Sequence, residues 1–191
     1  MANIAVICEG VSEFNIINHI VSRYLGDHSL NAVQPKINND TQADEGGWSR
    51  VLDHCKDDDI EPIFQLNDYL IIQIDTDTSH ISPYDIPHNF KDGSAKSPRR
   101  LHAEIKARLM RELSSDIRKK YIHRIIFAIC HNEIECWHHL YSLPPVTPHL
   151  YLRAPVDRIL CGIIKEELNI MPIKEILRQY VTFVTHCSYL G

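Results

Sequence analysis

Ile4-Ala5-Val6-Ile7-Cys8-Glu9-Gly10-Val11-Ser12-Glu13 is an apolar run that stops at a carboxylate followed at once by glycine. The run has the length and composition of a buried strand, and Ser12 reads as the N-cap of a following helix. Glu9 is therefore expected at a strand's C-terminal end, the edge of an open α/β sheet where ligands bind. A second apolar run, residues 69–74, ends in Asp75-Thr76-Asp77. A third, residues 122–130, ends in His131-Asn132-Glu133-Ile134-Glu135-Cys136-Trp137. Three strands ending in acids predict a shared acidic edge.

Outward from these strands the chain alternates in type. Ile17, Ile20, Val21 and Tyr24 follow helical spacing until Gly26. Residues 31–37 read as a weak strand, pushed toward a sheet edge by Pro35. A polar loop ends in Gly46-Gly47, and Trp48, Val51, Leu52 and Cys55 then repeat the helical spacing. Asp57-Asp58-Asp59 closes that segment as a solvated turn, with a metal role as the alternative. Residues 78–97 form a long polar loop beside the second acidic pair, and loops of that length in compact domains are usually functional or mobile.

Pro98 opens a helix expected to run to about Lys119, with Leu101, Ile105, Leu109 and Leu113 on one side. Arg100, Arg108, Arg111 and Arg118 fall opposite. Residues 96–124 hold ten basic and three acidic residues, whereas the rest of the chain holds 22 acids and 10 bases. That face is read either as plain solvation or as a track for a phosphate backbone. The order of elements predicts an α/β fold with a mostly parallel sheet of about four strands and helices on both faces. A first domain over residues 1–150 carries the acids, and a helical extension over residues 151–191 packs on it.

Composition bounds the function. With 191 residues, 44% hydrophobic and 24% charged, the chain suits one folded domain with a real core. No apolar stretch approaches the ~20 residues of a membrane helix, and no secretion signal opens the chain, so a cytoplasmic protein without a membrane partner is expected. The six cysteines form no Cys-x-x-Cys pair and read as reduced packing residues. Cys130, His131, Cys136, His138 and His139 match no zinc spacing, and no Gly-rich loop with Lys-Ser or Lys-Thr supports ATP hydrolysis. A net charge of -5 gives a polyanion no overall attraction, so nucleic acid would need the concentrated basic segment.

Glu13 lies one helical turn beyond Glu9, and Asp75 and Asp77 leave the second strand together. Carboxylates gathered this way repel one another unless a cation neutralises them, and hard Mg²⁺ or Mn²⁺ is the natural partner. Acids from three strands allow two ions, the arrangement that clamps attacking and leaving oxygens in phosphodiester cleavage. Strand-end acids also serve as helix caps, so spacing alone leaves both readings open. His131 reads as a general base, a support for metal ligands, or a structural hydrogen-bonding residue.

The Ile7-Cys8-Glu9-Gly10-Val11-Ser12-Glu13 segment, with Asp75-Thr76-Asp77-Thr78-Ser79, resembles the TOPRIM domain. It is most similar to nucleases related to the overcoming-lysogenization-defect family and to small TOPRIM-like proteins of bacterial anti-phage systems. Glu-Gly with a second acid three residues on, Asp-x-Asp with a small residue at Ser79, and Glu133-Ile134-Glu135-Cys136-Trp137 as an acidic pair before an aromatic carry the likeness, over residues 4–140. Ser79 departs from the topoisomerase pattern, which favours a nuclease. The resemblance implies a TOPRIM-like fold and Mg²⁺-dependent cleavage of DNA or RNA. Glu9, Asp75, Asp77 and Glu135 would be catalytic, Glu9, Glu13, Asp75, Asp77 and Glu133 would be metal ligands, and Ser79 and His131 would support them. Lys165 and Lys174 are the candidates for a lysine that stabilises the transferring phosphate. The implied context is anti-phage defence, with a partner ATPase, and self-association into a homo-oligomer is compatible with the sequence. Other readings are a non-catalytic TOPRIM-like binding subunit and a metal-dependent transferase or phosphatase on a small phosphorylated substrate.

Overall fold

The computed structural model describes residues 2–24, 27–38, 41–56 and 60–131, which belong to one compact unit. The expected extension over residues 151–191, the Asp57-Asp58-Asp59 turn, Glu133, Glu135, Lys165 and Lys174 lie outside the described residues.

Four strands form one all-parallel sheet: β1 (Ala2–Ile7), β2 (His28–Gln34), β5 (Tyr69–Asp75) and β6 (Ile125–Cys130), in the order β2-β1-β5-β6. This is the expected α/β class. Between β2 and β5 lie a two-stranded hairpin, β3 (Ile37–Asn38) with β4 (Thr41–Gln42), and the helices α2 (Trp48–Lys56) and α3 (Ile60–Leu66). Helix α1 (Val11–Tyr24) joins β1 to β2, and α4 (Pro98–Glu112) and α5 (Ser115–Tyr121) join β5 to β6.

The strands alternate between two faces, as a period of two requires. Ala5, Ile7, Leu70, Ile72, Ile74, Ile125 and Phe127 pack with apolar residues of α2, α3, α4 and α5 into the main core. The intervening Ile4, Val6, Ile71 and Ile126 are also buried, and so are Ile16, Ile17 and Val21 of α1. The chain leaves β1 in one direction for β2, then crosses back past β1 to β5. The boundary between β1 and β5 is thus the point where the winding reverses, and the C-terminal edge at such a point is where open α/β sheets bind their ligands.

Several boundaries differ from the sequence reading. Helix α1 begins at Val11, so Ser12 stands inside it rather than at its N-cap. The second strand starts earlier, at His28, and ends at Gln34 before Pro35 on the edge of the sheet. The long helix is two helices: Leu113 leaves α4 in an extended conformation, and the Ser114 side chain caps α5 by accepting from the Ile117 amide. The buried stripe of Leu109, Leu113 and Ile117 runs through the break, which is why periodicity alone read one helix. Residues 122–124 form a 3-10 turn ahead of β6. Helix α3 is too short, and too interrupted by Pro62, to give a periodic signal.

Candidate functional site

Glu9 and Asp75 stand at the C-terminal ends of the adjacent strands β1 and β5. Glu9 Oε1 accepts the Asp75 amide proton at 2.7 Å, so the two expected acids meet at one edge. Glu9 also accepts from the amide of Trp48 at the start of α2, where the helix dipole favours negative charge. The Gly46-Gly47 turn makes that approach: the Gly47 amide donates to the Glu9 carbonyl at 2.6 Å with a φ of 97°. A Cβ on Gly46 would stand 2.2 Å from the same carbonyl oxygen, so only glycine fits.

The other acids gather around this pair. Glu13 folds back over Gly10, its Oε2 2.6 Å from where a Cβ would be. Burial, then the charges of Asp77 and Glu13, push the Glu9 carboxyl up to about 7, against partial relief from the Asp75 and Trp48 amides. Asp75 is buried, and its Oδ1 accepts from Gln73 Nε2 at 2.8 Å. Asp77 Oδ1 accepts the Thr78 amide at 2.7 Å, while the neighbouring Thr78 Oγ1 is buried with no hydrogen-bond partner among the described residues.

The long loop after Asp77 is held in place. Tyr84 is fully buried, stacks on Trp48 with ring centroids 5.6 Å apart, and donates its hydroxyl to the Asp75 carbonyl at 3.3 Å. Burial, followed by the charges of Glu9, Asp75 and Asp77, raises the Tyr84 hydroxyl pKa, which keeps it a proton donor. Ser79 is buried and donates from Oγ to the Ile86 carbonyl at 2.9 Å, so it braces the loop beneath the acids. His88 Nε2 lies 2.6 Å from the Thr76 carbonyl and 3.1 Å from Ser79 Oγ. A carbonyl only accepts, so this nitrogen carries the proton. His131 follows Cys130, the β6 partner of Asp75, and its pKa is lowered by burial and by His88. Gln73, Tyr84 and His88 were not singled out by the sequence reading, and Trp48 entered it only through its helical spacing. Gln73 alone left a local signal there, as a polar residue inside an apolar strand.

No family model, curated protein or solved structure matches this chain. The site is therefore read from its own chemistry.

Among the described residues, no three His, Cys, Asp or Glu side chains are gathered closely enough to hold an ion. The side chains are instead satisfied internally: Glu9 lies on two amides and Asp75 on Gln73. The donor set nevertheless fits a hard cation, because every nearby ligand is a carboxylate oxygen and Glu9 carries an electrostatic penalty that a positive ion would remove. The orphaned Thr78 hydroxyl adds a further oxygen beside Asp77.

The basic segment has a different character. Arg100 pairs with Glu104 at 2.6 Å, and Lys96 reaches the other oxygen of that carboxylate at 2.5 Å. Arg108 pairs with Glu112 and donates to the Pro83 carbonyl at 3.0 Å. Arg118 donates to the carbonyls of Met110 and Leu113 at 2.7 and 2.5 Å, closing the end of α4. Of the four arginines expected to form a track, Arg111 is exposed and has no such partner among the described residues. Cys8, Cys55 and Cys130 are reduced and buried, as expected. No helix among the described residues is long and apolar enough to cross a membrane.

Proposed function

We propose that this chain is a Mg²⁺- or Mn²⁺-dependent phosphodiesterase of the TOPRIM-like type, cleaving DNA or RNA. The observation that supports this most is the meeting of Glu9 and Asp75 at the reversal point of a parallel sheet, with Glu13 and Asp77 near enough to perturb Glu9. Glu9, Glu13, Asp75 and Asp77 are the donors for a first ion, and Glu135 or Glu133 for a second. A bound ion supplies Lewis-acid polarisation of phosphoryl oxygens and a more acidic water.

The chain's own groups do the rest. Burial and its acidic neighbours push the Glu9 carboxyl up to about 7, so it must give up its proton to hold an ion, and cation binding strengthens as pH rises through neutrality. His131, kept neutral by burial and by His88, is the proton acceptor at the β6 end. Tyr84 and His88 fix the loop backbone at Asp75 and Thr76, so the acids are presented on a rigid wall. The free acidic site repels phosphate, which makes substrate binding depend on the cation. Anti-phage defence alongside a partner ATPase is the context that the resemblance adds.

A protein carrying both Asp75→Ala and Asp77→Ala should lose Mg²⁺-dependent cleavage of nucleic acid while keeping its helix content by circular dichroism. Undiminished cleavage in that folded protein would sink the proposal. The internal engagement of Arg100, Arg108 and Arg118 favours a second reading, a phosphatase or phosphotransferase on a small phosphorylated substrate. That reading has no use for a long basic track, and it predicts that neutralising Arg111 leaves turnover unchanged.

A further inference from the structure

Strand β5 sends Leu70, Ile72 and Ile74 into the main core, which puts Ile71, Gln73 and Asp75 on the opposite side. Gln73 has no exposed surface, and its strand is hydrogen-bonded on both edges. An apolar side chain of similar volume would fill this place without needing polar partners, so packing does not account for a glutamine here.

The partners do account for it. Gln73 Oε1 accepts the Glu9 amide proton at 3.3 Å, and Nε2 donates to Asp75 Oδ1 at 2.8 Å while lying 3.9 Å from Cys130 Sγ. The Glu9 amide fixes which way round the Gln73 amide sits, because a backbone N–H only donates and so must face Oε1, which turns Nε2 to Asp75. The link is reciprocal. Glu9 reaches the main chain of Asp75 with its side chain, and Asp75 reaches the main chain of Glu9 through Gln73.

We infer that Gln73 is a positioning residue of the acidic site: it aims the Asp75 carboxylate and ties it to the β1 strand end before a ligand arrives. This rests on the reading of Glu9 and Asp75 as the heart of a cation site. Groups that orient a metal ligand typically change metal affinity by about tenfold to a hundredfold when removed.

Gln73→Leu and Gln73→Met remove the bridge at nearly constant volume, and Mn²⁺ titration of the full chain by calorimetry reads the outcome. The expected result is a Kd for Mn²⁺ raised about tenfold or more in both variants. Ile71→Val, on the same face of the strand and away from the acids, should leave that Kd unchanged and so controls for packing. A folded Gln73→Met protein with the wild-type Kd overturns the inference, and so does failure of both Gln73 variants to fold, which would mark a packing residue. Wild-type protein that binds no Mn²⁺ refutes the cation site instead. The bridge is then read by hydrogen exchange: faster exchange of the Glu9 amide in Gln73→Met supports it, and unchanged protection overturns it.

Discussion

The strand ends at β1 and β5 and the helices α4 and α5 are the two charged regions of this molecule, and they use charge in opposite ways. At the strand ends, burial and the charges of Asp77 and Glu13 drive Glu9 toward protonation, and Asp75 beside it is held by Gln73. On the helices, several of the positive charges are answered within the fold: Arg100 by Glu104, Arg108 by Glu112, Lys120 by Glu61, and Arg118 by the carbonyls that end α4. An external cation would relieve the repulsion that Glu9 carries, whereas the paired arginines have less to gain from a counter-charge.

The comparison can be broken first at the turn that brings Glu9 to α2. Gly46→Ala places a methyl group against the Glu9 carbonyl and Gln42 Nε2, and the loop must shift. A loss of about 4 kcal/mol in urea unfolding is expected, at the upper end of single-substitution effects. A change under about 1 kcal/mol would mean the turn is not clamped as described.

Glu9 itself gives the next largest effect. Its carboxyl titrates near 4.5 when unfolded and near 7 when folded. Between these values the folded state keeps a proton that the unfolded chain has lost, so stability is fullest below pH 4.5 and falls as pH rises. The fall is about 1.4 kcal/mol per pH unit and levels off above pH 7 at roughly 3 kcal/mol. Glu9→Gln should remove this slope and leave the cation-free protein more stable than wild type at pH 8 by up to about 3 kcal/mol. Equal stability at pH 8 would show that the acids do not burden one another.

Smaller effects test the helices. Arg118→Ala strips a charged donor from two carbonyls and should lower stability by about 2 kcal/mol, with salt having little influence on the loss. Arg111→Ala should change stability by less than about 0.5 kcal/mol. If α4 touches nucleic acid through this side chain, the salt slope of binding falls by about one in the variant. An unchanged slope would favour the small phosphorylated substrate.

Much of the acidic edge was legible in the sequence because two apolar runs of strand length each end in a carboxylate, and parallel strands bring like ends together. That Glu9 and Asp75 are neighbours was not legible, since strand order depends on how the chain crosses β1 on its way to β5. Tyr84 and Trp48 sit in a loop and at a helix start, and their stacking joins segments with no shared pattern. The internal contacts of the arginines were hidden in another way. Spacing places a residue on a helix face but cannot say that Arg118 would turn back to cap the preceding helix, because the break at Leu113 and Ser114 hides within a continuous apolar stripe.

The central claim is that Glu9 and Asp75 form the core of a divalent cation site. A crystal soaked in Mn²⁺, with data collected at the manganese absorption edge, tests it most directly. An anomalous peak bound by the carboxylates of Glu9 and Asp75, with Glu9 released from the Asp75 amide, is the predicted result. No peak at that edge, with Glu9 Oε1 still on the Asp75 amide at a saturating Mn²⁺ concentration, would contradict it.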